Sequence, residues 1–277
     1  MDYIYKKTEI SKDKIKSYAK LLSTVFKKTD KFTTDFIDWQ YVKNPVGHVV
    51  GFDAFYNGDL VAHYVTIPVS YLIKGKTTLG LLSLNTAVHP NHQGKGLFTK
   101  LANKTFEEAK HLGYKFVIGV ANKNSTHGFL KKLNFYLVGQ LQTKLSFRNI
   151  SFNKNKEYLI RANHNLAYYN WRLLCPNTSY VINNHKLFSK TDTFGLYAQL
   201  SEDALISDTG INLKKQRPFF KILIGNGLLK KQQKFYFNLP SILKPSPLNL
   251  IFRDLTDTLP VITQDNFLFE LIDFDAY

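Results

Sequence analysis

The feature that most constrains this fold is the stretch from Leu84 to Ala109, where an apolar run leads through a turn into a helical pattern. The turn carries Gly94 and Gly96, which can adopt backbone angles that other residues avoid. A strand that enters such a turn and then a helix is a common phosphate-binding arrangement, because backbone amides and the helix dipole converge on the anion. The sequence therefore predicts a nucleotide-like ligand that carries a pyrophosphate.

The residues around this turn predict a strand–helix–strand unit. Apolar residues recur at three- and four-residue steps after the turn, which indicates an amphipathic helix that ends at Gly113. Residues 81–88 and 116–121 are mostly apolar and predict two buried strands. The right-handed crossover rule places these strands parallel to each other in one sheet.

Two further strands precede this unit. Residues 48–56 and 60–72 alternate in polarity and are joined by Asn57-Gly58-Asp59, which is a strong signal for an antiparallel hairpin. Residues 14–27 have the spacing of an amphipathic helix. We therefore expect an α/β chain of the α+β type, whose mixed central sheet starts antiparallel and becomes parallel near the ligand.

The turn also carries a family resemblance. Gln93-Gly94-Lys95-Gly96-Leu97 resembles the acyl-CoA pyrophosphate loop of the GNAT N-acetyltransferases. Asn122-Lys123-Asn124-Ser125 and then residues 129–135 resemble the next block of that family, an asparagine followed by a short helix and a strand. The likeness spans residues 51–141. Phe98 departs from it, because most members have Gly or Ala there, so its ring must turn into the core or narrow the cofactor groove.

The resemblance implies a mixed sheet of the acyl-CoA N-acyltransferase type, with acetyl-CoA as co-substrate. It also implies a set of cofactor-binding residues on the strand end, in the loop and in the asparagine block. These are Ala87, Val88, Gln93, Gly94, Lys95, Gly96, Leu97, Phe98 and Asn124. The alternative is a doubly wound domain whose loop binds nothing.

In this family a main-chain N–H on the strand before the loop faces the thioester carbonyl oxygen. The resemblance assigns that task to the region of Ala87 and Val88. Relatives often use a carboxylate on the central strands to take the proton of the attacking amine, and this sequence has none there. The base is then His63, a water held by Ser83 or Asn85, or a carboxylate from elsewhere in the chain. The candidate carboxylates are Asp38, Asp53, Asp273 and Asp275.

Relatives commonly protonate the departing thiolate with a tyrosine five residues before the last phenylalanine of the block. Counting back from Phe135 gives Leu130, so the usual acid is absent. His127, Ser125 or water must replace it, or the thiolate leaves unassisted because its pKa is not high. Loss of catalysis is a third alternative. The candidate catalytic residues are Asn85, Val88 and His127.

Composition narrows the class of partner. The formal net charge is +16, but only five of the 37 basic residues are arginine, which disfavours a nucleic-acid partner. Residues 61–150 hold twelve Lys or Arg and two acids, so their surface favours an anionic cofactor and an anionic co-substrate. A nucleotide-linked sugar fits that surface, and a polycationic aminoglycoside does not.

The remaining composition indicates a cytoplasmic protein without a metal site. The single cysteine, Cys175, excludes an internal disulfide and a thiolate metal cluster. The eight histidines have no metal-ligand spacing with acids or cysteine. No apolar run has the length of a signal peptide or a membrane span.

The polar stretch after Phe147 predicts a boundary between a domain of residues 1–147, which binds acyl-CoA, and a second domain of residues 148–277. Residues 168–176 echo residues 36–45, and the echo contains the only two tryptophans. We expect a smaller, degenerate GNAT-like α/β copy, or alternatively an unrelated appendage. Its predicted elements are a helix at 214–231 and strands at 180–182, 195–200, 234–238, 249–252 and 267–274.

The second half is expected to contribute to the acceptor site. Trp39, Tyr41, Trp171 and Arg172 are the candidate residues of an acceptor pocket between the halves, with two core tryptophans as the alternative. We predict an N-acetyltransferase that acts directly on a primary amine of a small molecule, with a nucleotide-linked amino sugar as first choice. A noncatalytic acyl-CoA sensor and an acetyltransferase of RNA or protein are the alternatives. The sequence leaves open the acceptor, the acyl length and the oligomeric state.

Overall fold

The computed structural model describes residues 2–148, 157–226, 236–238 and 246–274. The helices are α1 (Lys12–Phe26), α2 (Thr34–Tyr41), α3 (Leu97–His111), α4 (Lys123–Lys132), α5 (Leu166–Leu173) and α6 (Leu205–Asp208). The strands up to the middle of the chain are β1 (Ile4–Lys7), β2 (Val50–Tyr56), β3 (Asp59–Ile73), β4 (Lys76–Val88), β5 (Phe116–Ala121), β6 (Tyr136–Gln140), β7 (Gln142–Ser146) and β8 (Ile160–Ala162). The later strands are β9 (Tyr180–Asn183), β10 (Lys186–Lys190), β11 (Leu196–Glu202), β12 (Lys214–Lys215), β13 (Phe220–Gly225), β14 (Tyr236–Asn238), β15 (Asn249–Asp254) and β16 (Phe267–Leu268).

The first sheet has the mixed character that the sequence predicts. Asn57 and Gly58, with φ of 51° and 89°, close the β2–β3 hairpin, because both central residues of such a tight turn need positive φ. β3 and β4 pair antiparallel, and β4 and β5 pair parallel with α3 between them in sequence. The predicted hairpin and the parallel crossover are therefore confirmed.

The two sheets exchange a strand. In the first sheet the order is β1-β2-β3-β4-β5-β15-β6, so a late strand lies between β5 and β6. In the second sheet the order is β12-β9-β10-β11-β13-β7-β14, so an early strand lies between β13 and β14. β8 and β16 also join the first sheet from beyond residue 147, through the pairing of β8 with β3. Each sheet therefore contains strands from both sides of the predicted boundary, which stays a prediction.

The second sheet repeats the topology of the first. β9, β10 and β11 pair antiparallel, and β11 then pairs parallel with β13, as β2, β3 and β4 do before β5. α2 and α5 are both eight residues long, and each has its tryptophan at the sixth position. The two sheets therefore share an order of strand pairing, and the degenerate second copy stays a prediction.

The helix predicted at 214–231 is wrong over its described part. Residues 214–215 and 220–225 are β12 and β13, and residues 227–231 lie outside the described residues. The run Phe220-Lys221-Ile222-Leu223-Ile224 is a central strand whose residues face both sides of the sheet, and short apolar runs of this kind fit a helix or a strand equally well. The strand predicted at 267–274 is also shorter, because it turns at 271–273 into a 3₁₀ helix.

The core has two layers around the first sheet. One cluster joins the sheet to α3 and α4 through Leu101, Phe106 and Phe129. The other joins the opposite face to α1, α2 and the second half of the chain.

Among the described residues, no helix is long and apolar enough to cross a membrane.

Candidate active site

A gap opens between the two parallel strands of the first sheet. β4 and β5 pair only over Leu81–Ser83 and Val117–Gly119. Beyond these residues β4 continues along β3 to Val88, whereas β5 continues along β15 to Ala121. Their facing edges are therefore without a strand partner in this part of the described chain, which leaves backbone groups available to an extended ligand.

A β-bulge on β4 lies at the start of this gap. Val65 pairs with Leu84 and His63 pairs with Ala87, so Asn85 and Thr86 together oppose the single residue between those partners on β3. Asn85 has φ of 47°, a left-handed conformation that asparagine tolerates better than most residues. The bulge turns the partly buried Asn85 side chain towards α2, where it donates a hydrogen bond to the hydroxyl of Tyr41 at 3.1 Å.

The backbone of Val88 faces the gap. His89 N donates to Val61 O at 2.8 Å, which makes this a hydrogen-bonded pair of the antiparallel ladder. The neighbouring pair, Val88 and Ala62, is then of the other type, and its N–H and C=O groups point away from β3. By the same alternation Ala87 directs its backbone groups to His63 and its buried side chain into the core.

The turn after β4 leaves the start of α3 open. Gly94 and Gly96 have φ of 75° and 73°, and Gly96 is the N-cap of α3. Because glycine has no side chain to cap the helix, the first backbone amides of α3 are not capped by that residue. Residues 93–96 are exposed, and Leu97 anchors the helix in the core. An exposed helix start of this kind is a ready anion site.

Neighbouring side chains hold the turn against the strand end. Gln93 Nε2 donates to Val88 O at 3.3 Å, and Lys95 Nζ donates to Asn91 O at 3.3 Å. His89 Nδ1 accepts from Asn91 N and caps the short 3₁₀ turn that precedes Gln93.

Among the described residues, no group of three His, Cys, Asp or Glu side chains could hold a metal ion.

The ring of Phe98 turns towards the core between α3 and α4. It makes an edge contact with Phe129 at a centroid distance of 5.2 Å and with Tyr64 at 5.9 Å. A Cβ atom on Gly128 would lie 2.9 Å from Phe98 Cε1. The bulky residue in the loop is therefore matched by a glycine on the facing helix.

α4 carries the other predicted site residues on its exposed side. Asn122 and Ser125 form a capping box, which ties the side chain of Asn122 to the helix start. Asn124 and His127 are exposed. Leu130, one turn after His127, is partly buried against the core.

A chain of buried hydrogen bonds ends at Asn85. His63 Nδ1 lies 2.6 Å from Asp53 Oδ1, and His63 Nε2 lies 2.9 Å from the hydroxyl of Tyr41. Burial raises the pKa of Tyr41 well above its ordinary value, so the phenol stays protonated. The sequence singled out Asp53 and His63 as separate candidate bases, and the structure joins them in one network that also includes Tyr18, which the sequence did not indicate.

The other candidate carboxylates have structural partners. Asp38 forms an exposed ion pair with Lys43 at 2.7 Å. Asp273 accepts from Glu270 N at 2.8 Å and lies 2.8 Å from His164 Nε2. Asp275 lies outside the described residues.

The two tryptophans are packed against each other at the seam between the halves. Their rings stack at a centroid distance of 4.7 Å, and each indole N–H donates to the other residue's carbonyl oxygen, Trp39 at 2.7 Å and Trp171 at 2.9 Å. The Arg172 guanidinium lies 5.4 Å from both ring centroids and is buried. This geometry is that of core anchors, and Tyr41, also fully buried, reaches the site through Asn85.

A cavity of about 790 Å³ lies elsewhere in the molecule. Its lining includes Leu72 and Lys74 at the far end of β3, together with Glu270. Leu72 is nine residues beyond His63 on an extended strand, which corresponds to about 30 Å. The cavity is therefore too far from the gap to belong to the same site.

Comparison with known proteins agrees with this geometry. Residues 7–138 match the family model of the acetyltransferase (GNAT) domain. The chain is similar in structure to a probable N-acyltransferase from Enterococcus faecalis V583, with a TM-score of 0.59 and 8% identity over 92% of this chain and 73% of that one. A GCN5-related N-acetyltransferase from Anabaena variabilis ATCC 29413 gives a TM-score of 0.58 and 10% identity over 92% and 74% of the two chains. Eis1 from Mycobacterium abscessus gives a TM-score of 0.57 and 10% identity over 93% of this chain and 74% of that one.

At these identities the structural likeness shows the fold, and no protein of curated function matches the sequence. A mixed sheet whose parallel strands separate beside a glycine turn and an open helix start defines the acyl-CoA N-acyltransferase fold. Residues 7–138 match the acetyltransferase domain of the GNAT family, and this match supports an acyltransferase enzyme of that superfamily. Domains of this family in general use acetyl-CoA.

Proposed function

We propose that this enzyme transfers an acetyl group from acetyl-CoA directly to a primary amine of a small molecule. The observation that carries the proposal is the gap between β4 and β5 next to the open start of α3. The gap offers backbone groups to an extended chain, and the helix start offers amides to an anion. Acetyl-CoA has both parts, a pantetheine arm and a pyrophosphate.

The residues of the turn fit the donor. The amides that follow Gly94 and Gly96 bind the pyrophosphate, and Lys95 adds positive charge beside them. The edge of β4 from Leu84 to Val88 faces the pantetheine arm. Ala87 supports this edge from the core, and Phe98 and Asn124 border the groove on α3 and α4.

The backbone N–H of Val88 is our candidate for stabilising the charge that develops on the acyl oxygen. It points away from β3 towards the gap, and it is fixed by the ladder on its other side. A donor held in place before the reaction needs little reorganisation as charge develops. The bound donor supplies the activated acetyl group as a thioester.

His127 is our candidate for protonating the thiol that leaves. Residues three apart on a helix lie on the same face, so His127 neighbours the position of Leu130, where relatives carry their acid. His127 is exposed on α4 and can exchange protons with solvent.

The acceptor is proposed to enter from the side of α2 and the second half of the chain. Asn85 is the polar group of β4 on this side, and the stacked Trp39 and Trp171, with Arg172 against their rings, fix the wall behind it. A nucleotide-linked amino sugar is our first choice, since it combines a primary amine with an anion for the basic surface of residues 61–150. The cytoplasm is the proposed compartment, on the basis of the single buried cysteine, Cys175.

The test is an incubation of the full chain with acetyl-CoA and a panel of amines, with release of free thiol and thermal stability both measured. We expect acetyl-CoA to raise the melting temperature and thiol release to depend on a nucleotide-linked amino sugar. Stabilisation without release for any amine supports a sensor instead. Release with RNA or protein only supports the macromolecular acceptor, and no stabilisation contradicts the donor assignment.

A further inference from the structure

We infer that Asp53, acting through His63 and Tyr41, fixes the orientation of the Asn85 side-chain amide so that its carbonyl oxygen receives an N–H of the acceptor amine. The inference rests on the proposed function and adds to it how the acceptor is recognised. Asp53 is a positioning residue, because it acts on the substrate only through the side chains between them.

The direction of hydrogen-bond donation along this network is set at Asp53, which is 1% exposed. Its carboxylate lies 2.6 Å from His63 Nδ1 and also accepts from Tyr18 at 2.7 Å and from Thr8 at 3.2 Å. A carboxylate that accepts several hydrogen bonds has no proton to give. The proton in the bond to His63 is therefore assigned to Nδ1, and Nε2 is assigned as an acceptor.

His63 in turn sets the direction of donation at Tyr41. His63 Nε2 lies 2.9 Å from the Tyr41 hydroxyl, and since Nε2 accepts, the hydroxyl donates. A phenol has one proton, and the raised pKa of buried Tyr41 keeps it in place. The oxygen of Tyr41 must then accept from Asn85, whose Nδ2 lies 3.1 Å away.

The second N–H of the Asn85 amide is also used. Nδ2 donates to Oε1 of Gln40, which is itself fully buried. Both protons of the amide thus point to α2, and Oδ1 accepts no hydrogen bond from the described residues. Because Asn85 is on the bulge beside the gap, this oxygen is available at the point where an amine approaches the donor.

A carbonyl oxygen in this position favours an amine. It accepts an N–H from either the ammonium or the neutral amine, and it has no proton of its own that would compete for the nitrogen lone pair. The reversed amide would present N–H groups to an N–H donor, which leaves polar groups of both partners unsatisfied in a partly buried site.

Asp53→Asn is expected to reverse the direction of donation along the network, because asparagine has nearly the same shape as aspartate. Glu9 N donates to the Tyr18 hydroxyl at 3.2 Å, so Tyr18 directs its own proton to residue 53. The amide oxygen of the new asparagine is expected to stay with Tyr18, and its NH₂ group to face His63. His63 then accepts at Nδ1 and donates from Nε2, Tyr41 donates to residue 85, and the Asn85 amide turns over.

The experiment has two readouts on the full-length chain. Nitrogen NMR of the histidine rings is expected to show His63 protonated on Nδ1 in the wild type and on Nε2 in Asp53→Asn. This readout needs neither acetyl-CoA nor an amine, so its failure is distinct from a failure of the proposed function. The same His63 tautomer in both proteins would overturn the inference.

The second readout is steady-state kinetics with the best amine of the panel. Asp53→Asn is expected to lower kcat/KM for the amine about 10- to 100-fold while the affinity for acetyl-CoA stays within about twofold. In an Asn85→Ala background the same change is expected to have no further effect, because Asp53 acts through Asn85. Equal losses in both backgrounds would contradict the inference.

A matched control separates orientation from general destabilisation. Thr66→Val removes another fully buried hydrogen bond of the same strand pair, from Thr66 Oγ1 to Val50 O at 2.9 Å. It is expected to lower the melting temperature by an amount similar to Asp53→Asn and to leave the amine KM unchanged. An equal loss of amine recognition in Thr66→Val would show that the network has only a structural role.

Discussion

The two sheets share an order of strand pairing, but within the described residues only the first has an exposed glycine turn and an open helix start beside its parallel strands. In the first, β4 leads through an exposed glycine turn into α3, whose fifteen residues follow the N-cap Gly96. In the second, β11 leads directly into α6, which has four residues, and the side chain of Asp203 accepts from the amide of Leu205 at its start. The comparison shows that a shared strand order does not by itself provide an exposed helix start for an anion.

Both sheets have a bulge at the corresponding strand pair, but the residue in the bulge differs. On β11 Leu187 pairs with Ser201 and Phe188 pairs with Gln199, so Leu200 is the additional residue. Leu200 is fully buried, whereas the bulge on β4 holds the polar Asn85. The second bulge thus has an apolar residue where the first presents an amide, and Leu200 does not share the positive φ of Asn85.

The largest effect is expected at the seam that joins the two halves. Trp39→Ala removes a stacked ring and one indole hydrogen bond, and it leaves the indole of Trp171 beside a void. We expect a loss of about 3–5 kcal/mol in the free energy of unfolding, measured by denaturant titration. Trp171→Ala is the matched variant and is expected to lose a similar amount, while the double variant loses less than the sum. A loss below about 1 kcal/mol would show that the seam does not couple the halves.

A smaller effect is expected when the open helix start is made like the closed one. Gly96→Asp places a carboxylate at the N-cap of α3, comparable to the carboxylate of Asp203, which precedes α6 and accepts from Leu205 N. Aspartate tolerates the left-handed backbone of this position better than most residues, so the protein is expected to fold, but its charge repels the pyrophosphate. We expect acetyl-CoA to bind about 100-fold more weakly by calorimetry.

The control for this variant is Gly75→Asp. Gly75 has φ of 74°, almost the same as Gly96, and lies in the β3–β4 turn, where an added Cβ likewise meets nothing within 4 Å. It carries the same backbone strain without a nearby anion site. Equal weakening by the two substitutions would mean that strain, and not charge at α3, is responsible.

The smallest effect is expected at His127. His127→Ala removes the proposed proton donor on α4, and since a thiolate leaves readily, we expect kcat to fall on the order of tenfold. The KM for acetyl-CoA is expected to stay unchanged. His111→Ala, on the exposed end of α3, is the control. An unchanged kcat in His127→Ala would remove this residue from the reaction.

The sequence predicts the strand–turn–helix–strand unit well for a physical reason. Glycine at positive φ, an apolar strand and a 3.6-residue periodicity are local properties, so the unit from β4 to β5 can be derived without knowing the rest of the fold. The strand exchange is not local, because no pattern in 142–146 or 249–254 indicates which sheet the strand joins.

The hydrogen-bond network behind Asn85 cannot be predicted from the sequence, for a related reason. An ideal two-residue turn at Asn57 and Gly58 would place Ala62 opposite Asp53. A register shift between Ala54 and Phe55 places His63 there instead. A single irregular residue thus creates the buried pair, and such shifts depend on packing of the whole sheet.

Hydrogen exchange on the full-length chain with and without acetyl-CoA tests the central claim most directly, since it compares the two helix starts in one experiment. We predict that acetyl-CoA slows exchange of the amides of residues 94–98 and of the β4 edge around Val88, and leaves residues 203–208 unchanged. Protection of residues 203–208 instead, or no change at residues 94–98 under saturating acetyl-CoA, would contradict the account.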